Sequence, residues 1–268
     1  MKPMMGIYRA PKKRCFLNYS NRKKGSIIDM IILHYTEFSY EKSFSTLSVG
    51  GNVSSHFLIR EDGRIDDLVP MRKKAWHAGK SYWDRREAIN DYSIGIEIVN
   101  SGMENIDSNF DITKIPDFTK KQYDAISELI TYIKLKFPEI KEHYILGHSD
   151  ITAIDLRKKD PGIKFDWKKL SEFGHGLHSD ILLNNNYTMF KKGEQSHAIK
   201  ELKHSLASFG YEVDYSNDFN QQLANVIFAF NLHFNQREFI KNSFNSNIWS
   251  NNSDQRLKDL LKKKQSHD

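Results

Sequence analysis

The chain has 268 residues, of which 39% are hydrophobic and 12% aromatic, and its formal net charge is +6 at pH 7. This composition is typical of a folded protein with one large or two smaller domains, and it excludes disordered and fibrous classes. The longest apolar run near the N-terminus, Met30–Leu33, is far shorter than the roughly 20 residues that cross a bilayer. No transmembrane segment or export signal is readable, so the cytoplasm is the default compartment, with the periplasm or secretion by another route as the alternative.

The positive charge is concentrated in residues 1–24, which hold eight Lys and Arg residues and no Asp or Glu. The rest of the chain carries the other 32 of the 40 basic residues against all 34 acidic ones. We expect residues 1–25 to form a solvated basic arm that could steer the chain toward an anionic polymer or surface. Because the remainder is not basic, nucleic acid is not expected as a partner.

Three segments of the N-terminal half predict strands. Residues 26–36 (SIIDMIILHYT) are short and rich in isoleucine, which favours a buried strand. Residues 54–65 (SSHFLIREDGRI) predict a hairpin with a Glu-Asp-Gly turn. In residues 90–100 (NDYSIGIEIVN), alternation sends the isoleucines to one face of a strand and Glu97 to the other, beside Gly95.

The clearest helix is predicted over residues 119–137, where apolar residues recur at helical spacing. Thr119 and Gln122 form a capping box at its start, and Pro138 ends it. Another short strand follows in residues 143–150 (HYILGHSD). Strands interleaved with a long helix predict an α/β fold, with a mixed central sheet flanked by helices.

The composition changes after Trp167, and we predict a catalytic domain over residues 26–178 and a linker over 179–194. Residues 195–268 predict a small all-α domain near the lower size limit for independent folding. It contains an amphipathic helix that stops at Gly210, a second helix with regularly spaced apolar residues, and a short third helix. Phe219 begins the apolar pattern of the second helix, and Asp254 is the predicted start of the third.

Two of the eleven histidines follow directly on predicted strands. His34 and His148 would thus lie at a rim of the sheet, where sites are usually built, although hydrogen-bonded rim histidines without a metal explain the pattern equally well. Asp160 precedes Pro-Gly, and such an aspartate alone is more often a turn residue. Taken together, two imidazoles and one carboxylate are the ligand set of a catalytic zinc site that leaves one position for water.

Six motifs in order resemble the zinc-dependent N-acetylmuramoyl-L-alanine amidases of the amidase-2 type, and most closely their AmpD/AmiD-like branch. The motifs are IILHYT, VSSHFLIREDG, KAWHAG, NDYSIGIEIVN, GHSDI and RKKDPG followed by FDW. The resemblance covers Ser26 to Trp167, and the family is related to the peptidoglycan-recognition proteins. It implies the amidase-2 fold, one zinc ion per chain, and hydrolysis of the amide bond between the lactyl group of N-acetylmuramic acid and L-alanine. Intact peptidoglycan and anhydro-muropeptides are both compatible substrates.

The resemblance also implies roles for individual residues. It implies that the zinc ligands are His34, His148 and Asp160. Glu97 would be the acid–base carboxylate, and Lys158 would stabilise the oxyanion. The substrate groove would include Trp76 and His77. Between GHSDI and Asp160, residues 152–159 are longer than the family's segment and lack its Pro-Gly. Either Lys158 or Lys159 could therefore face the site.

Two alternatives accompany this interpretation. A peptidoglycan-recognition protein without catalysis would share the motifs, but the presence of all three candidate ligands favours an enzyme. The C-terminal helices resemble, more weakly, the three-helix peptidoglycan-binding module of wall hydrolases. A structural cap on the catalytic domain is the alternative for that region.

Overall fold

The computed structural model describes residues 18–48, 52–101 and 111–266. Strands in these ranges are β1 Tyr19–Ser20, β2 Met30–Tyr35, β3 Phe57–Ile59, β4 Ile65–Asp67, β5 Lys74–Ala75, β6 Tyr82–Trp83, β7 Arg86–Glu87, β8 Ser93–Ile98, β9 Ile145–Gly147, β10 Thr188–Lys191 and β11 Ile248–Ser250. The α-helices are α1 Tyr40–Ser48, α2 Lys120–Lys136, α3 His148–Ile151, α4 Trp167–Glu172, α5 His197–Phe209, α6 Gln221–Phe234, α7 Gln236–Lys241 and α8 Asn251–Gln265. Short 3-10 helices span Ile89–Asp91, Ile112–Lys114 and Glu142–Tyr144. Within the described ranges, none of the helices combines the length and apolar character that crossing a bilayer requires.

Five strands form the central sheet, in the order β4, β3, β8, β2 and β9. Strands β3 and β4 are antiparallel, as the predicted hairpin requires, whereas the other neighbouring pairs are parallel. The sheet is mixed and flanked by helices, which confirms the predicted α/β fold class. Residue His34 of β2 is aligned with Glu97 of β8, and Leu33 with Gly147 of β9. The carboxyl ends of three strands therefore meet at one edge, where ligands bind in open α/β sheets.

Helix α2 covers one face of the sheet. Ile94, Ile96 and Ile98 of β8 lie in one buried cluster with apolar side chains of this helix. The predicted capping box is present, because Thr119 Oγ1 accepts from the Gln122 amide and Gln122 Oε1 accepts from the Thr119 amide. Local sequence signals therefore fix both the start of α2 and the face of β8 on which it packs.

The C-terminal helices cover the opposite face. Met30 and Ile32 of β2 and Leu146 of β9 lie in one buried cluster with apolar side chains of α5, α6 and α8. The same cluster contains Trp83, which packs so closely on Gly210 that a β-carbon at this glycine would collide with the indole ring. The sheet and the C-terminal helices thus share a continuous hydrophobic core, and the candidate site lies on this face.

The C-terminal region is mainly helical, as predicted, and two short antiparallel strands, β10 and β11, add to the helices. Strand β10 lies inside residues 179–194, the segment expected to be a linker. Helix α8 begins at Asn251 rather than at Asp254. The earlier start follows from Ser250, whose hydroxyl accepts from the Ser253 amide and caps the helix.

Arg22 of the predicted basic arm is half-buried and hydrogen-bonded within the fold. Residues 1–17 lie outside the described residues, but the Arg22 guanidinium donates to the carbonyls of Asn90, Met71 and Ser93 over 2.7 to 2.9 Å. Burial lowers the pKa of Arg22 to about 10. The expectation of a solvated arm is therefore wrong at Arg22, because these carbonyls replace water as its hydrogen-bond acceptors.

Candidate active site

The candidate metal ligands meet at the carboxyl edge of the sheet. His34 lies near the end of β2, His148 is the first residue of α3, and Asp160 lies in the loop before α4. The Oδ2 atom of Asp160 is 2.8 Å from His34 Nδ1 and 3.2 Å from His148 Nδ1, and the two Nδ1 atoms are 3.0 Å apart. All three side chains are buried. Across the described residues, no other group of His, Cys, Asp or Glu has this metal-ligand geometry.

A chain of hydrogen bonds fixes the proton of His34. The Ser93 hydroxyl donates to the carbonyl of Ile89 over 2.7 Å, since a carbonyl can only accept. Ser93 Oγ therefore accepts from His77 Nε2 at 3.2 Å, and His77 Nδ1 accepts from His34 Nε2 at 3.0 Å. This leaves His34 Nδ1 without a proton, which is the state that a metal ligand requires.

His77 reaches His34 because residue 95 is a glycine. A β-carbon at Gly95 would lie 2.5 Å from the His77 ring. Burial, followed by the neighbouring imidazoles and Arg22, lowers the pKa of His77 well below its usual value, so its ring is neutral and can accept at Nδ1. The His77 side chain thus lies behind His34, with only 7% of the residue exposed. The substrate contact that the family resemblance implies for His77 stays a prediction.

The carbonyl of Ala78 fixes the proton of His148, because it accepts from His148 Nε2 at 3.2 Å and so leaves Nδ1 unprotonated. Burial alone would raise the pKa of Asp160, and only positive charge or donated protons at His148 and His34 would hold it well below its usual range. With both Nδ1 atoms unprotonated, a bound cation would have to supply that positive charge. Three unprotonated acceptor atoms therefore face one another within 3.2 Å, which is repulsive unless a cation lies between them. Ligand atoms of a tetrahedral zinc site are about 3.3 Å apart, so this donor set fits zinc.

Glu97 stands beside the candidate ligands. Strand β8 aligns it with His34, on the face opposite the three isoleucines. Burial raises the pKa of Glu97 to about 7, and a positive charge at His34 would lower it whereas the negative charge of Asp160 raises it. Its Oε2 atom is buried and has no hydrogen-bond partner among the described residues. A carboxyl group in this state can take up and release a proton near neutral pH.

Lys158 and Lys159 lie on different sides of their loop. Lys158 lines a cavity of about 310 Å³ together with Glu97 and the three candidate ligands. The Lys159 ammonium instead lies 5.9 Å from the ring centre of Phe228 on α6. Of the two lysines that the sequence leaves as alternatives, Lys158 is the one in the cavity.

Trp76 lines the same cavity, as does His77, and the substrate contact implied for Trp76 also stays a prediction. Its amide N–H donates to Ser54 Oγ over 2.8 Å. The amides of the next two residues, His77 and Ala78, donate to Asn90 Oδ1 over 3.0 and 2.8 Å. The side chains of Ser54 and Asn90 thus hold the backbone of residues 76–78 in place.

Comparison with known proteins identifies the family. The amidase-2 family, described as N-acetylmuramoyl-L-alanine amidase, matches residues 23–163, which is more than half of the chain. The chain belongs to this amidase-2 family. The amidase is 33% identical to N-acetylmuramoyl-L-alanine amidase AmiD of Escherichia coli over 214 residues, which are 77% of this chain and 75% of AmiD. It is 39% identical to 1,6-anhydro-N-acetylmuramyl-L-alanine amidase AmpD of Haemophilus influenzae over 117 residues, which are 44% of this chain and 56% of AmpD.

Solved structures share the fold over most of the amidase. Escherichia coli AmiD in complex with the substrate anhydro-N-acetylmuramic acid-L-Ala-D-gamma-Glu-L-Lys matches with a TM-score of 0.71 and 26% identity, over 92% of this chain and 94% of AmiD. AmpDh3 of Pseudomonas aeruginosa in complex with an anhydromuramic pentapeptide matches with a TM-score of 0.69 and 26% identity, over 97% of each chain. These matches extend into the C-terminal region, and together with the family match they confirm the predicted fold and enzyme class.

Ser93 and Asn90 support the site of the amidase but were not predicted from the sequence. For Ser93 a signal was present, because alternation along β8 places it on the same face as Gly95 and Glu97. Asn90 carried no comparable signal, since an asparagine just before a strand is an ordinary turn residue. Its role is visible only from the contact with the segment that carries His77.

Proposed function

We propose that this amidase hydrolyses the amide bond between the lactyl group of N-acetylmuramic acid and L-alanine, in a reaction that depends on one zinc ion per chain. The observation that carries this proposal is the meeting of one potential ligand atom each from His34, His148 and Asp160 beside Glu97 in an open cavity. Anhydro-muropeptides are the proposed substrates, since the matched structures of AmiD and AmpDh3 hold such ligands. Intact peptidoglycan is the second candidate, because the same bond occurs in it.

The Nδ1 atoms of His34 and His148 and the Oδ2 atom of Asp160 would hold the zinc ion. Zinc in such a site polarises a carbonyl and lowers the pKa of water to about 7. The His77–Ser93 chain and the Ala78 carbonyl keep both imidazoles in the tautomer that presents Nδ1. Hydrogen bonds of this kind orient metal ligands and raise their basicity.

Glu97 is the proposed general base and acid. With a pKa of about 7, it can accept a proton from the attacking water and return it to the leaving nitrogen of L-alanine. Its unpaired Oε2 atom leaves one lone pair available for that proton. Lys158, which lines the same cavity, would stabilise the negative oxygen that develops on the attacked carbonyl.

Replacing Lys158 with alanine should lower kcat on a soluble muropeptide by about 10²- to 10³-fold, because one oxyanion contact is lost. Lys159→Ala is the matched control and should keep kcat near the parent value, since the Lys159 ammonium lies against Phe228. Steady-state kinetics of both variants on the same substrate measure the difference. A large loss in Lys159→Ala with little change in Lys158→Ala would reverse the assignment of the two lysines.

Mass spectrometry of the products tests the proposed function. The zinc-loaded protein, incubated with an anhydro-muropeptide, should release the free sugar acid and an intact stem peptide that begins with L-alanine. Parallel incubation with purified sacculi decides between the two substrates. A protein that binds either material but releases no stem peptide would be a recognition protein instead of an enzyme.

A further inference from the structure

Residues 148–165 form a segment, the catalytic loop, that carries His148, Lys158 and Asp160. Hydrogen bonds from Tyr211, helix α6 and helix α7 reach this loop at three separate places. The first contact adjoins His148, the second lies in the middle of the loop, and the third follows Asp160. A backbone hydrogen bond from the Ser149 amide to the Asp160 carbonyl, at 3.0 Å, joins the two ends of the loop.

Asp150 makes the first contact. Its carboxylate is buried and accepts three hydrogen bonds: from the Gly147 amide at 2.8 Å, from the Tyr211 hydroxyl at 2.6 Å and from His233 Nδ1 at 2.8 Å. Gly147 directly precedes the candidate ligand His148. Two side chains from the C-terminal region therefore hold the carboxylate that in turn holds the backbone beside a metal ligand.

Two amide side chains make the other contacts. Asn225 of α6 donates to the carbonyl of Ile154 over 3.0 Å. Gln236 of α7 donates to the carbonyls of Ile163 and Phe165 over 3.1 and 2.9 Å. These carbonyls lie on either side of the Lys158 to Asp160 stretch, in a part of the chain without regular secondary structure. The amides supply hydrogen bonds that no strand or helix provides there.

We propose that the C-terminal region is part of the active-site scaffold, in which Tyr211, Asn225 and Gln236 act as positioning residues for the catalytic loop. They keep His148 and Asp160 at the spacing that a metal ion requires and direct Lys158 into the cavity. The proposal rests on the proposed zinc amidase function. It assigns to this region a role in the chemistry on every substrate, large or small.

A region that serves only to bind the cell wall would behave differently. Loss of the contacts between such a region and the loop would leave zinc affinity and kcat on a small muropeptide unchanged. Only binding to insoluble peptidoglycan would be weakened when such a region is damaged. The wall-binding role of residues 195–268 stays a prediction, and it is compatible with the scaffold role. Zinc affinity therefore separates the two roles, since it does not depend on the size of the substrate.

Three variants of the full chain test the proposal: Tyr211→Phe, Asn225→Ala and Gln236→Ala. Each substitution removes a side-chain group that donates a hydrogen bond to the loop, and Tyr211→Phe keeps the buried ring. We expect each variant to bind zinc about 10- to 100-fold more weakly in competition with a chelator, as for other residues that orient metal ligands. On a soluble anhydro-muropeptide, kcat should fall while KM changes little. Gln236 is only half-buried, so Gln236→Ala keeps the test valid if Tyr211→Phe unfolds.

Tyr215→Phe and Gln222→Ala are the matched controls, because both side chains are exposed in the same region and neither supplies one of the hydrogen bonds to the loop described above. They should match the parent protein in zinc affinity and kcat. Folded variants at Tyr211 and Gln236 with parental zinc affinity and kcat would overturn the scaffold proposal. A parent chain that neither binds zinc nor releases stem peptide would instead overturn the proposed function.

Discussion

Asp160→Asn is expected to abolish turnover and to weaken zinc binding more than 100-fold, which is the upper range for residues that only orient a metal ligand. The substitution keeps the shape of the side chain but removes the one negative charge among the three candidate ligands. In the parent chain, Asp160 Oδ2 lies within 3.2 Å of both His34 Nδ1 and His148 Nδ1. Zinc content after dialysis against a chelator, together with the rate of stem-peptide release, measures both effects.

Asp155→Asn is the control for this experiment. Asp155 is an exposed carboxylate of the same loop, and its Oδ1 accepts from the Arg157 amide, a bond that asparagine retains. The control should bind zinc as the parent chain does. If Asp160→Asn also retained one zinc ion per chain at parental affinity, Asp160 would not be a ligand.

Glu97→Gln should lower kcat by about 10²- to 10⁴-fold, which is the usual contribution of a general acid–base group. Glutamine fills the same space but cannot accept a proton from water. Zinc binding and KM should remain close to the parent values, because Glu97 is not among the three ligand residues. Steady-state kinetics and metal analysis of the same preparation separate catalysis from metal binding.

Glu61→Gln provides the matched comparison, since Glu61 is exposed in the turn of the β3–β4 hairpin. This variant should retain full activity. Undiminished turnover in Glu97→Gln would remove the assigned role, and loss of zinc from that variant would make Glu97 a part of the metal site.

Part of the fold could be predicted because its signals are local. Alternation along β8 gives the face of Glu97, and the capping box gives the start of α2. The parallel pairing that brings the ends of β2, β8 and β9 together is seen only in the structure. From the sequence, strand ends place His34 and His148 at a rim of the sheet. The family resemblance groups them with Asp160 and Glu97 in one site.

The supporting contacts could not be predicted because they join residues that are distant in sequence. Asp150 follows a candidate ligand, yet only the folded chain brings Tyr211 and His233 to its carboxylate. Arg22 lies in a stretch of positive charge that is typical of a solvated arm, but three carbonyls surround it. Aspartate, arginine and serine have many roles in proteins, so their identity alone does not indicate burial.

The core that the sheet shares with the C-terminal helices determines how the amidase loses its structure. Met30, Ile32 and Leu146 have their apolar surface covered by these helices, so neither part can unfold without exposing the other. We therefore expect the sheet and these helices to melt as one unit, in one cooperative transition, as small single domains do. A ligand that binds only the native state stabilises the whole of that unit. In the proposed zinc enzyme, metal binding at the edge of the sheet therefore protects the C-terminal helices from thermal unfolding, although these helices supply none of its ligands.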